Sequence, residues 1–170
     1  RSDEAYAAFL ELHVEQGGVL EKRGDAIGVV EGVVGQRRFS INVQGQANHA
    51  GTTPMGLRQD ALVAASRIVL AVEAMASRHS GDPVATVGRL DVWPNAANVV
   101  PGAVALTVDL RDVDPIVLDQ LVEELMQQVE SIGADTGCPI AVNPQFSVDP
   151  TPADAGVMAT IAEASADLGL

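Results

Sequence analysis

The sequence predicts an α+β domain of the ferredoxin-like type, a four-stranded antiparallel sheet with two helices on one face. Three observations carry this expectation. Between Val33 and Val148, period-two segments and segments of three-four spacing follow one another in the order β-α-β-β-α-β. Each helical segment is preceded by a polar-proline pair, Thr53-Pro54 and Asp114-Pro115, and followed by a glycine, Gly81 and Gly137. Among 170 residues, 47% are hydrophobic and 19% charged but only 3% aromatic, so the core must be built from Ala, Val, Leu and Ile.

The first strand is read from Phe39, Ile41 and Val43 alternating with Arg38, Ser40, Asn42 and Gln44. A loop from Gln46 to Thr53 follows, and Thr53-Pro54 is expected to cap a helix whose apolar face is Leu62, Ala65, Val69, Val72 and Ala76. Two extended segments, Val84 to Val92 and Asn98 to Leu110, are separated by a bend at Pro94-Asn95. A second helix opens at Asp114-Pro115 and turns Leu118, Leu121, Leu125 and Ile132 inward; Gly137 closes it, and Ile140 to Phe146 forms the last strand.

Residues 33–148 are therefore expected to be one domain. Residues 1–32 form a flank in which Glu11 to Gln16 and Ile27 to Val30 read as short strands, and residues 149–170 a return segment with a helix from Ala153 to Leu168. Neither flanking strand can bury a face alone, and the chain begins at Arg1 without a methionine; both features suggest a piece of a longer protein.

The net charge of −13 repels phosphate backbones and anionic headgroups, which argues against nucleic-acid and membrane partners. No segment has the length and apolarity of a signal peptide or a membrane span. The single cysteine, Cys138, has no internal disulfide partner and fits a reducing, cytoplasmic location.

Four places could carry chemistry. His13, flanked by Glu11 and Glu15, suits a divalent metal, although a lone histidine is more often a solvated side chain and a zinc site needs three or four protein ligands. His49 lies in the small-residue loop Asn48-His49-Ala50-Gly51-Thr52-Thr53-Pro54, which is either a ligand-reaching loop or an ordinary connection. Asn98 lies in Asn95-Ala96-Ala97-Asn98-Val99-Val100-Pro101-Gly102. Arg111, in Asp109-Leu110-Arg111-Asp112, could grip a carboxylate through its fork, but local sequence favours a salt bridge to Asp109 or Asp112.

Taken in order, Glu11-Leu12-His13-Val14-Glu15-Gln16-Gly17, Ile27-Gly28-Val29-Val30, Val34-Gly35-Gln36-Arg37, Asn48 to Met55, Asn98-Val99-Val100-Pro101-Gly102 and Asp109-Leu110-Arg111 closely resemble the hydantoinase/carbamoylase family of binuclear zinc amidohydrolases. The resemblance implies hydrolysis of linear ureido or amide C–N bonds, in N-carbamoyl-L-amino acids or allantoate, by a homodimer joined through this domain. It implies that His13 is one ligand of a divalent metal, zinc first and manganese, cobalt or nickel as substitutes. It further implies that His49 stabilises the oxyanion at the partner subunit's site, that Gln36 and Asn98 hold the substrate's polar groups, and that Arg111 holds its carboxylate. The family's remaining metal ligands and its general-base glutamate match nothing here, so the chain alone is expected to be inactive. The alternatives are an aminoacylase or metallopeptidase relative, or a non-catalytic dimerisation or ligand-sensing module of the same fold.

Overall fold

A computed structural model describes residues 7–170. The chain divides into two compact units, Val34–Thr151 and a second comprising the described part of Arg1–Val33 together with Pro152–Leu170.

The first unit contains the β-α-β-β-α-β order: β1 Gly35–Gln44, α1 Ala61–Arg78, β2 Val84–Trp93, β3 Ala103–Asp112, α2 Pro115–Thr136 and β4 Ile140–Val148. The strands form one antiparallel sheet in the order β2-β3-β1-β4. The alternation seen in sequence sorts the two faces. Phe39, Ile41 and Val43 of β1 and Val104, Leu106, Val108 and Leu110 of β3 are buried and pack in one core with both helices. Ser40, Asn42, Thr107 and Asp109 alternate with them, on the face the helices leave open. Phe39 is turned into the core, so it offers no stacking surface for a base.

Helix α2 forms as its sequence predicts. Asp114 caps it through Ile116 N–H, Pro115 takes the first turn, and Gly137 ends it at φ 67°. Its buried face adds Val129 to the four expected residues. Helix α1 departs from expectation. Thr53-Pro54 does not cap it; Pro54 precedes a single 3₁₀ turn, Met55–Leu57, and α1 begins only at Ala61, with Asp60 accepting from the N–H groups of Leu62 and Val63. A carboxylate next to two free amides outcompetes a hydroxyl seven residues earlier. The buried face is correspondingly rotated to Ala61, Ala64, Ala65, Ile68, Val72 and Met75, leaving Leu62, Val69 and Ala76 at its margin.

The segment expected to be continuous from Asn98 to Leu110 is broken. Val99–Val100 pairs with Asn48–His49, and β3 starts afresh at Ala103. Pro101 has no N–H to continue a ladder, and Gly102 allows a close crossing: a Cβ there would lie 2.9 Å from Ala47 Cβ. Gly45 is tighter still, since a Cβ would meet Gln59 O at 2.3 Å. Backbone bonds from Gly45 N to Gly102 O and from Ala61 N to Pro101 O fasten both loops to the end of the sheet.

In the second unit neither Glu11 to Gln16 nor Ile27 to Val30 is a strand; among the described residues neither segment has a ladder partner, and Leu12 and Val14 are exposed. Regular structure here includes a short helix, Val19–Arg23, whose first amides bond to the Glu15 carboxylate, and Ala155–Asp167, capped by Asp154. No residue of either helix is buried. Ala153 N–H bonds to Glu31 O, joining the two segments of this unit.

Removing the observed cap with Asp60→Ala is expected to lower stability by about 1 kcal/mol, against about 2–5 kcal/mol for Leu121→Ala in the core. Urea denaturation distinguishes the two; a Thr53→Ala loss that exceeds that of Asp60→Ala would restore the cap position read from sequence.

Candidate functional site

Antiparallel register sets Gln36 of β1 directly opposite Arg111 of β3, and Arg38 opposite Asp109. All four side chains stand on the open face of the sheet, at the end where β1 begins and β3 finishes. Asp109 is their hub. Its Oδ2 accepts from Gln36 Nε2 at 2.5 Å, Arg38 Nη2 at 2.8 Å and Arg38 Nε at 3.1 Å, while Oδ1 accepts from Arg111 Nε at 2.8 Å. Partial burial alone would raise the Asp109 carboxyl, but the bonds from Arg111, Arg38 and Gln36 and the nearby Arg111 charge together outweigh it and hold the group below its ordinary value. The same hydrogen bond and charge raise Arg111 above the ordinary arginine value.

Of the two salt-bridge partners suggested for Arg111, Asp109 is therefore the one engaged. Asp112 is buried on the opposite face and accepts from Asp114 N–H. The engagement is through Nε with a longer bond from Nη2, at 3.4 Å, which leaves Nη1 uncommitted on a side chain 45% exposed. Asp109 thus orients the arginine without using up its fork.

His49 and Asn98 are brought together at the other end of the sheet. His49 pairs with Val99 in a two-residue ladder, and Ala50 N–H bonds to Asn98 O at 2.9 Å. Both side chains are exposed. The histidine ring is oriented from within its loop: Gly51 N–H donates to Nδ1 at 3.0 Å. That nitrogen must carry a lone pair, so the neutral ring holds its proton on Nε2 and presents an outward donor. The His49 carbonyl accepts from the Thr53 hydroxyl and amide, and Arg58 donates to Ala50 O at 2.7 Å and Thr53 O at 3.0 Å.

His13 lies in the other unit, exposed, with Nδ1 2.6 Å from Val14 O. Donation to that carbonyl puts the proton on Nδ1 and leaves Nε2 free to bind a cation, the arrangement a metal-ligating imidazole uses. Glu15 is committed to the amides of Val19 and Leu20. Among the described residues no group of three His, Cys, Asp or Glu side chains could hold a metal together. The open Nε2 of His13 is a single imidazole donor, and a metal centre needs further ligands beside it.

Residues 32–137 match the peptidase dimerisation domain family. The chain belongs to it. Within that family the chain is 42% identical to an allantoate amidohydrolase of Escherichia coli over 92% of its own length and 38% of the relative's. It is 39% identical to an N-carbamoyl-L-amino-acid amidohydrolase of Paenarthrobacter aurescens, over 99% of this chain and 41% of that one. Among solved structures, a Burkholderia multivorans amidase of the hydantoinase/carbamoylase family superposes with a TM-score of 0.91 at 41% identity, covering 92% of this chain and 38% of that chain. The chain spans about two fifths of the length of the curated relatives it matches.

Sequence reading missed Asp109 as the organiser, Arg38 as its second arginine, and Gly51 and Arg58 as supports of His49. The first two were legible in principle, because opposite charges on two alternating strands are potential cross-strand pairs. The supports of His49 depend on a loop path that no periodicity encodes.

Because the folded carboxyl of Asp109 titrates below its ordinary value of 3.8, the stability it contributes is complete above that pH and is lost as pH falls through the lower folded value. Asp109→Asn is expected to remove that share of acid sensitivity. Urea midpoints at about pH 7 and about pH 3 check it: the variant's drop should be smaller than the wild type's, and an equal drop would show that Asp109 contributes no such linkage.

Proposed function

We propose that this chain is the lid and dimerisation part of a metal-dependent amidohydrolase that cleaves linear ureido or amide C–N bonds, with N-carbamoyl-L-amino acids or allantoate as substrates. Residues 33–148 are the lid; residues 1–32 and 149–170 belong to the body of the enzyme. The observation that carries the reading is the placement of four matched residues as two outward-facing polar pairs, Gln36 with Arg111 and His49 with Asn98.

The pairs sit at opposite ends of β1. At ~3.3 Å per residue, the run of β1 from Gln36 to Gln44 puts them roughly 25 Å apart. A ureido acid cannot touch both pairs of one lid. Two lids in a homodimer resolve this: Gln36 and Arg111 serve one site, and the partner's His49 and Asn98 reach into it. Arg111 then takes the substrate carboxylate with the fork edge Asp109 leaves free, and Gln36 and Asn98 hold the polar groups. His49 offers Nε2–H to the carbonyl oxygen as charge develops there, an interaction realised mainly in the transition state.

His13 would supply one imidazole to the metal site through Nε2, with zinc the first choice and a binuclear centre in the whole enzyme. Such a centre supplies a nucleophilic water and polarises the scissile carbonyl. The unpaired Cys138 thiol supports a cytoplasmic location. An aminoacylase or peptidase relative shares the lid, so substrate turnover decides the branch.

The first test is ammonia release by the full-length enzyme carrying this chain, loaded with zinc or manganese, on allantoate and a panel of N-carbamoyl amino acids. Turnover of one of them is expected; failure across the panel by metal-loaded protein would move the assignment to the aminoacylase or peptidase side. In that enzyme Arg111→Lys should raise KM by about tenfold or more, because a point charge replaces a planar fork. Unchanged kinetics would remove Arg111 from the substrate grip.

Complementation tests the two-lid arrangement. In a mixed dimer of His49→Ala and His13→Ala subunits, one site retains both an intact His13 and the partner's His49. Random mixing should therefore recover about a quarter of wild-type activity; no recovery in verified mixed dimers would put both histidines at the same subunit's site.

A further inference from the structure

We propose that Arg58 is a positioning residue for His49, acting through the loop backbone to fix which nitrogen of the imidazole carries the proton. The inference rests on the reading of His49 as the oxyanion donor, but it concerns a residue and a physical step that reading does not contain.

The problem Arg58 solves is visible in the loop. His49 is exposed, and the group that determines its tautomer is the N–H of Gly51, two residues on, at 3.0 Å from Nδ1. A bond between near neighbours on an exposed turn survives only if the turn itself is held. The two-residue ladder to Val99–Val100 ends at His49, and beyond it backbone bonds from Ala50 N–H to Asn98 O and from the Thr52 and Thr53 N–H groups to His49 O hold the turn but leave the Ala50 and Thr53 carbonyls to a side-chain donor. Arg58 is that donor, from the side: Nη2 donates to Ala50 O at 2.7 Å and Nε to Thr53 O at 3.0 Å. Ala50 O belongs to the same peptide unit as the Gly51 N–H and Thr53 O lies three units further on, so one planar guanidinium ties the Gly51 amide's own peptide to the far side of the turn. Its two bonds are geometrically linked, and a single rotation of the turn would break both.

Steric room points the same way. A Cβ on Gly51 would lie 3.0 Å from His49 Cε1 and 3.4 Å from Nδ1, so the ring rests directly over the glycine. Arg58 is half-buried while the turn residues Gly51 and Thr52 are exposed. It therefore braces the turn from the protein side. Without it the Ala50 carbonyl loses its side-chain donor, the Ala50–Gly51 peptide unit can tilt within the turn, Gly51 N–H leaves Nδ1, and the ring redistributes its proton between both nitrogens. The fraction holding the proton on Nε2 and aimed outward would fall, with little change in how substrate is held by Gln36 and Arg111.

The test uses the full-length, metal-loaded enzyme, with ¹⁵N-labelled histidine for spectroscopy, the His49 signals being assigned by their loss in His49→Ala. Wild type is expected to show one Nε2–H tautomer at His49. Arg58→Ala is expected to show a mixture, with kcat reduced between about tenfold and a hundredfold, KM within about twofold, and partial recovery of both readouts on adding free guanidinium ion. Arg58→Lys, which keeps the charge and the stem should the alanine variant fail to fold, should show the same mixture because one ammonium cannot bridge both carbonyls. A single Nε2–H tautomer in either folded variant overturns the positioning role. Full activity in His49→Ala would overturn the oxyanion reading instead, and the tautomer measurement would still decide what Arg58 does.

Discussion

Ten residues of continuous antiparallel register, from Gly35 opposite Asp112 to Gln44 opposite Ala103, fix where every matched polar residue of this unit can stand. The register has two consequences at once. Along the strands it separates the ends, so that Gln36 and Arg111 meet at one and the loops bearing His49 and Asn98 leave from the other. Across the sheet it sorts the faces, so that alternate residues of β1 and β3 carry the core and the rest remain free for polar work. A slip of β1 by one residue against β3 would turn Gln36 and Arg38 toward the helices and Phe39 and Ile41 toward the open face. The buried apolar set thus protects the geometry of the polar set.

The two ends are organised by different physics. At the Gln36–Arg111 end, side chains from facing strands converge on one carboxylate, and Asp109 balances its partial burial with three donors. Rigid strands supply the positions, and electrostatics supplies the orientation. At the His49 end the described residues form no comparable charge hub. Orientation comes from backbone groups, with Gly45 and Gly102 letting the two loops cross closely and the Val99–Val100 ladder setting the entry to the turn. Such a loop can project beyond the sheet, which a strand residue cannot.

This division explains what was legible in the sequence. The strands and α2 could be read because burial, capping and alternation act within a few residues of one another: Asp114, Pro115 and Gly137 mark α2 without reference to anything distant. The start of α1 could not be read from Thr53-Pro54 because that pair belongs to the His49 turn, where the Thr53 hydroxyl bonds to His49 O. A cap-like dipeptide serves two kinds of turn equally well, and the Asp60 cap with the bond from Ala61 N–H to Pro101 O sets where α1 begins. Glu11 to Gln16 fails for the converse reason. Its alternation is a strand's, yet a strand exists only as part of a ladder, and none reaches it among the described residues.

The candidate residues divide along the same line. His13, His49, Asn98 and Arg111 were singled out from the residues themselves and Gln36 by motif resemblance, and both routes report identity and not surroundings. What the structure adds is the second layer: Asp109 presenting Arg111 by its free edge, Val14 O leaving His13 Nε2 open, Gly51 leaving His49 with an outward proton. Each of these leaves one polar atom free by occupying a different atom of the same side chain. The two histidines are given opposite tautomers by opposite partners, a carbonyl for His13 and an amide for His49. One keeps a lone pair free on Nε2 and the other a proton on Nε2, so a single residue type is prepared in two complementary ways by its local backbone.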